Sequence, residues 1–223
     1  SYVAVLIGLH LMRLPPWRRP AVAGGGLEQV REGLRFVRHD RRVFALVLNT
    51  AVLSVFGFPY VVLLPVFARD VLRVGAEGLG VMGASIGIGA LAAALGLAAF
   101  SPRVRRGALV AWASPAFGLA VVGFAFAPWY PLALAVLALT GFAMVLNNAA
   151  TNTLLQSLVP DALRGRVMAL WALVFVGFAP FGSLATGWLA GRIGAPPALA
   201  AGGLIAAVVS AWMWKRNAPE VAA

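Results

Sequence analysis

Cysteine is absent from the 223 residues and histidine occurs only twice. Disulfides and thiolate metal sites are thereby excluded. Charge is scarce as well, with 11% of the chain Asp, Glu, Lys or Arg, against about 25% in a soluble domain. Seven residues are acidic, Glu28, Glu32, Asp40, Asp70, Glu77, Asp161 and Glu220, and all fall in loops or at the edges of apolar segments. No carboxylate pair is left inside a segment for acid–base work, and none sits where an intramembrane proton carrier would. No H-E-x-x-H and no Walker loop occurs, so metal-dependent proteolysis and ATP-driven chemistry lack their residues. No cofactor, no metal and no enzymatic activity are expected.

What fills the chain is apolar: 61% of it is hydrophobic, against about 45–50% in a soluble protein. One soluble core cannot hide that excess, whereas a bilayer can face it. Six long apolar blocks follow one another, at 43–67, 76–100, 107–127, 131–158, 167–191 and 196–214. Each is close to or above the roughly 20 residues that cross the hydrocarbon core as a helix. They are continuously apolar rather than alternating, so membrane strands are a poor fit, and helices satisfy their own backbone groups in lipid. The expected fold is an all-α integral membrane bundle of six transmembrane helices.

The formal net charge is +11, yet the basic residues sit in short gaps between apolar blocks instead of on a folded face, which argues against nucleic acid as a partner. Fifteen of the 18 Lys and Arg lie in residues 13–42, 101–106, 159–166 and the tail, on alternate loops. Only Arg69, Arg73 and Arg192 fall on the others. The positive-inside rule then puts both ends of the chain in the cytoplasm. The expected organisation is the end of a truncated membrane helix at 1–12, a cytoplasmic linker at 13–42, the six-helix bundle at 43–214 and a cytoplasmic tail at 215–223. Residues 1–12 carry their arginines after the apolar run, the wrong order for a signal peptide.

Within the linker, Leu27, Val30, Leu34 and Val37 recur at i, i+3, i+7 and i+10 among Glu28, Arg31, Arg35 and Arg38, one apolar stripe on a charged helix. Such a helix either lies on the inner membrane surface, reached by a hinge at Gly24, Gly25 and Gly26, or packs on the cytoplasmic ends of the bundle, and both can hold. Glycines crowd the second block (Gly78, Gly80, Gly83, Gly87, Gly89) and the fifth (Gly187, Gly191), where small residues allow close helix packing. Gly83-Ala84-Ser85-Ile86-Gly87 has the G-x-S-x-G form of a nucleophile elbow. With no histidine or lysine inside a block to act as base, packing accounts for it better.

Polar residues concentrate in the fourth block: Asn147, Asn148, Thr151, Asn152, Thr153 and Gln156. Asn148, Asn152 and Gln156 are four apart and share one helix face, with Thr151 beside it. That face points at a water-filled path or at a neighbouring helix, where amides are worth about 0.6–2 kcal/mol. Asn49, Thr50 and Ser54 form a smaller cluster in the first block, where Pro59 and Pro65 can break or kink the helix. Between the fourth and fifth blocks, Asp161 can pair with Arg164 or Arg166, as loop charge or as a gate.

Two stretches carry a family resemblance. One is Leu64-Pro65-Val66-Phe67-Ala68-Arg69-Asp70-Val71-Leu72, followed by Gly75-Ala76-Glu77-Gly78-Leu79-Gly80. The other runs from Asn152 through Gln156-Ser157-Leu158-Val159-Pro160-Asp161-Ala162-Leu163-Arg164-Gly165-Arg166-Val167 to Met168. They resemble the branch of the major facilitator superfamily that contains the enterobactin exporter and bacterial macrolide-efflux permeases. The resemblance implies that the six blocks are helices seven to twelve, the C-terminal half of the fold, joined to a missing N-terminal half in a bacterial inner membrane. It implies proton-driven efflux of a small amphipathic molecule such as a drug or siderophore. The family's loop motif after helix eight is degraded here, its acidic residue being absent from the stretch Gly96 to Arg106. Candidate path residues are Asn49, Asn148, Thr151, Asn152 and Gln156, with Trp171 and Phe175 as apolar contacts at i, i+4. Asp161, Arg164 and Arg166 are candidate gate residues. A non-transporting membrane module, its amides serving only to join helices or subunits, is the alternative.

Overall fold

The computed structural model describes residues 26–100 and 106–221, with Leu6, His10 and Leu11. The expected hinge at Gly24 and Gly25, the loop at 101–105 and most of residues 1–12 lie outside the described residues. Helix α1, Gly26–His39, is followed by six segments long and apolar enough to cross a membrane. Among the described residues there is no strand, and the fold is an all-α bundle of six apolar spans.

Asp40 separates α1 from the first span. Its carboxylate accepts from the backbone N–H groups of Arg42, at 2.9 Å, and Val43, at 3.2 Å, taking up two donors that a helix start leaves free. The span, Arg41–Val71, is not one regular helix. Helix α2, Arg41–Val52, gives way to a wide turn at Leu53–Gly57, helix α3, Tyr60–Val66, and a second wide turn at Phe67–Val71. Pro59 stands at the start of α3 and Pro65 inside it, so the breaks expected at these prolines occur. The second, third and fourth spans are continuous: α4, Gly75–Phe100, α5, Arg106–Ala125, and α6, Tyr130–Leu158.

The fifth span departs from expectation. It consists of α7, Asp161–Gly177, and α8, Ala179–Ile193, broken at Phe178. Pro180, second in α8, has no N–H for the Val176 carbonyl and crowds it, which ends α7. The sixth span belongs to α9, Ala195–Val221; its helix runs past the expected boundary at 214 into the tail.

Buried side chains form two apolar clusters stacked along the bundle. One holds Leu53, Tyr60, Phe67, Phe117, Phe124, Leu137 and Leu199. The other holds Val37, Val43, Leu46, Val110, Leu155, Val167, Trp171 and Trp214, so the starts of spans one, three and five and the ends of spans four and six meet at the end that carries α1. Helix α1 packs on that end. Gly33 lies against Leu170 and Arg166, Val37 is buried, and Glu32 pairs with Arg166.

Glycine sets how closely the spans approach. A Cβ on Gly89 would meet the Ala138 carbonyl oxygen at 1.7 Å, and one on Gly141 the Ile86 carbonyl at 2.1 Å, so α4 and α6 touch backbone to backbone. Gly118 and Gly203 do the same for α5 and α9, and Gly182 meets the Val55 carbonyl in the first wide turn. The sequence pattern alone misplaces part of this packing. Gly80, Gly83, Gly87, Gly187 and Gly191 have nothing within 4 Å, because they face away from the six helices. Gly141→Ala should therefore destabilise the bundle by about 1–3 kcal/mol, read by thermal or denaturant unfolding, whereas Gly83→Ala should leave it unchanged; equal effects would contradict this packing.

Candidate functional site

Between the two apolar clusters lies a polar seam. Asn49 and Ser114 begin about eight residues inside their spans, which at 1.5 Å per residue is roughly 12 Å from the α1 end. Neither they nor Ser210 is exposed at all. Asn49 Nδ2 donates to Ser114 Oγ at 3.0 Å, and Ser210 Oγ donates to Asn49 Oδ1 at 2.9 Å. Ser114 Oγ in turn lies 2.7 Å from Asn147 Oδ1 and 2.7 Å from the Val110 carbonyl. One side chain from each of spans one, three, four and six thus shares a single network. Asn49, read from the sequence as lining a path, is a junction between helices, since both ends of its amide are taken up inside protein.

A second group of contacts ties span one to α7. Trp171 Nε1 donates to Thr50 Oγ1 at 3.1 Å, Thr50 donates to the Leu46 carbonyl at 2.9 Å, and Ser54 Oγ donates to the Phe175 carbonyl at 2.9 Å, near the break in the fifth span. Trp171 and Phe175 stack at 5.9 Å, and Phe58 meets Phe175 edge-on at 5.1 Å.

These two groups enclose a pocket lined by Thr50, Leu53, Phe58, Asn147, Asn148, Thr151, Trp171 and Phe175. Its cavity is small, about 10 Å³, room for about one water molecule. Thr151 is 1% exposed, and its hydroxyl has no hydrogen-bond partner. No hydrogen bond among the described residues reaches the half-buried Asn148 amide one turn earlier. The lining contains no ionisable side chain. Its reactive capacity is therefore confined to hydrogen bonding and aromatic stacking.

The structure brings Asn148, Thr151, Trp171 and Phe175 together and leaves the other candidates outside. Asn152 is half-buried and accepts from the exposed Gln156 amide, continuing the same helix face beyond the pocket. Asp161 is exposed and pairs with Arg164 at 2.5 Å, and Arg164 also donates to the Gln156 carbonyl at 3.1 Å. Arg166 is committed to Glu32 of α1, not to Asp161. Ser114 and Ser210 are not legible as site residues in the sequence, being lone serines in apolar runs, and nothing within the helix distinguishes the buried Asn147 from the half-buried Asn148. Ser85, of the G-x-S-x-G stretch, donates to the Val81 carbonyl of its own helix at 3.0 Å.

The family model described as transmembrane secretion effector matches residues 1–223. No curated protein matches the chain.

The network and the pocket predict opposite responses to removal of a polar group. Asn49→Ala breaks two buried bonds and should cost about 1–3 kcal/mol. Thr151→Val removes a hydroxyl that bonds to nothing, at nearly constant volume, and should be neutral or stabilising. Reversible denaturant unfolding in detergent micelles measures both, and a larger loss for Thr151→Val than for Asn49→Ala would refute the assignment.

Proposed function

We propose, starting from the fact that this chain belongs to the transmembrane secretion effector family of the major facilitator superfamily, that it forms the C-terminal half of a proton-driven exporter. Family membership and the six apolar helices make it a multi-pass membrane transporter with a small-molecule substrate. In our reading the substrate is a small amphipathic molecule such as a drug or siderophore, moved out of a bacterium across its inner membrane. The alternation of basic loops puts α1 and the tail on the cytoplasmic side.

The observation that carries the path is the pair of unused polar groups, the Asn148 amide and Thr151 hydroxyl, lining one pocket with Trp171 and Phe175. A buried polar group without a partner costs roughly 1–3 kcal/mol, so its retention beside a pocket favours a partner that comes and goes. Transporters of this kind hold substrate near the midplane between two repeats that rock about it. The N-terminal half supplies the second wall. The open faces around Gly80, Gly83 and Gly87 on α4 and Gly187 and Gly191 on α8 support close approach of its helices. The proton carrier belongs to that half as well, because no acidic side chain of this chain lies between the ends of its spans. Amides that only join helices, the alternative reading, describe Asn49 and Asn147, whose bonds are internal, but leave Asn148 and Thr151 unexplained.

Two measurements test this. A reporter fused after Glu220 should report cytoplasm and one inserted near Arg73 the outside; reversal at both sites would sink the topology. In the full-length transporter, with this half's natural lack of cysteine, Asn148→Cys, Asn152→Cys and Gln156→Cys should react with a small polar thiol reagent and be slowed by substrate. Leu139→Cys, on the outer surface of α6, should stay inert, because a thiol in lipid does not readily ionise. No reaction at positions 148, 152 and 156 in a transporting protein would return these residues to packing.

A further inference from the structure

Helix α1 carries three arginines at i, i+4 and i+7, Arg31, Arg35 and Arg38, and all are exposed. No ion pair or hydrogen bond among the described residues reaches their guanidinium groups. At about 100° per residue they form one row along the helix. The apolar arc of the same helix is divided. Gly33 and Val37 are buried against the bundle, with Gly33 close to Leu170 and Arg166. Val30 and Leu34, next around the helix, remain 53% and 42% exposed and lie between the buried arc and the arginine row.

We propose that this half-free face is where α1 meets the membrane surface, with Val30 and Leu34 entering the headgroup boundary and the three arginines binding the phosphates of acidic lipids. The helix lies against α7, part of the least enclosed span, whose most apolar stretch is only 17% buried inside the bundle. A bilayer that covers that span reaches the edge of α1 at its surface. An apolar arc flanked by cations is what an interfacial helix requires, and the arginine fork matches a phosphate better than a point charge does. Countercharge from within is scarce, because the chain has seven acidic residues against 18 basic ones, and Glu32 is already taken by Arg166. A polypeptide with an acidic, apolar surface is the competing occupant. The lipid is favoured because the free arc runs on from an arc already seated on a membrane bundle, with basic residues along its outer edge alone. This inference concerns the placement of α1 and holds whatever the transporter carries.

The absence of cysteine in the chain makes the test direct. A spin label on Leu34→Cys, in nanodiscs of phosphatidylcholine with or without phosphatidylglycerol, reports collisions with oxygen, which concentrates in lipid, and with a water-soluble nickel complex. Each arginine near an acidic surface favours docking by about fivefold. Adding phosphatidylglycerol should therefore cut nickel collisions several-fold and raise oxygen collisions, and replacing Arg31, Arg35 and Arg38 together by Gln should abolish the difference. A label equally open to nickel in both lipids would overturn the proposal. So would a label shielded to the same degree in both lipids and in the triple variant, the result expected if polypeptide covers Leu34. Val30→Cys repeats the measurement at the second position, so that a local disturbance by one label does not decide the outcome.

Discussion

At membrane depth no water competes for a polar group, so each must find its partner in protein, and the seam of Asn49, Ser114, Asn147 and Ser210 is how four spans meet that demand together. Each of these side chains is unfavourable toward lipid alone and satisfied only when its neighbours are in register. Rotating α5 by one residue would take Ser114 away from Asn49 and Asn147, leaving the Asn49 Nδ2 without its acceptor and Asn147 Oδ1 without its donor. The network therefore fixes the azimuth of four helices at once, where apolar packing alone tolerates small rotations. The two apolar clusters above and below it add area without comparable direction.

The irregular backbone follows the same constraint. Wide turns and proline breaks expose carbonyls that a straight helix would have used, and a bilayer accepts them only where protein covers them. The first wide turn of span one is covered by Gly182 and Gly202, which let α8 and α9 lie directly on its carbonyls. The break in span five has the Ser54 hydroxyl on the Phe175 carbonyl. Both irregularities border the pocket, so two of the places where the helices are not rods adjoin the unpartnered Thr151 hydroxyl.

The sequence made the six spans, the helical class and the two prolines of the first span legible, since length, composition and proline chemistry act locally. It also pointed to the fourth span as the polar one. What it left hidden depends on neighbours in space. That Asn147 turns inward while Asn148 stays unpaired follows from Ser114, 33 residues away, and no periodicity within one helix contains that. Which glycines contact another backbone was likewise invisible, since Gly83 and Gly89 look alike in the sequence and only the second faces Ala138. Arg166 could be assigned to a loop pair from spacing alone. Its partner Glu32 lies 134 residues earlier, on a helix whose docking only the fold determines.

The Ser114 hydroxyl has one hydrogen and two acceptors at the same 2.7 Å, the Val110 carbonyl of its own helix and Asn147 Oδ1 of the next span. It serves them one at a time. When the hydrogen turns to Val110, Asn147 loses its donor and its amide becomes available to the pocket it also lines; when it turns back, that oxygen is withdrawn. Whatever occupies the pocket and the fastening of the third span to the fourth thus draw on one atom. One neutral hydroxyl stands between two acceptors, one that closes its own helix and one that joins the third span to the fourth.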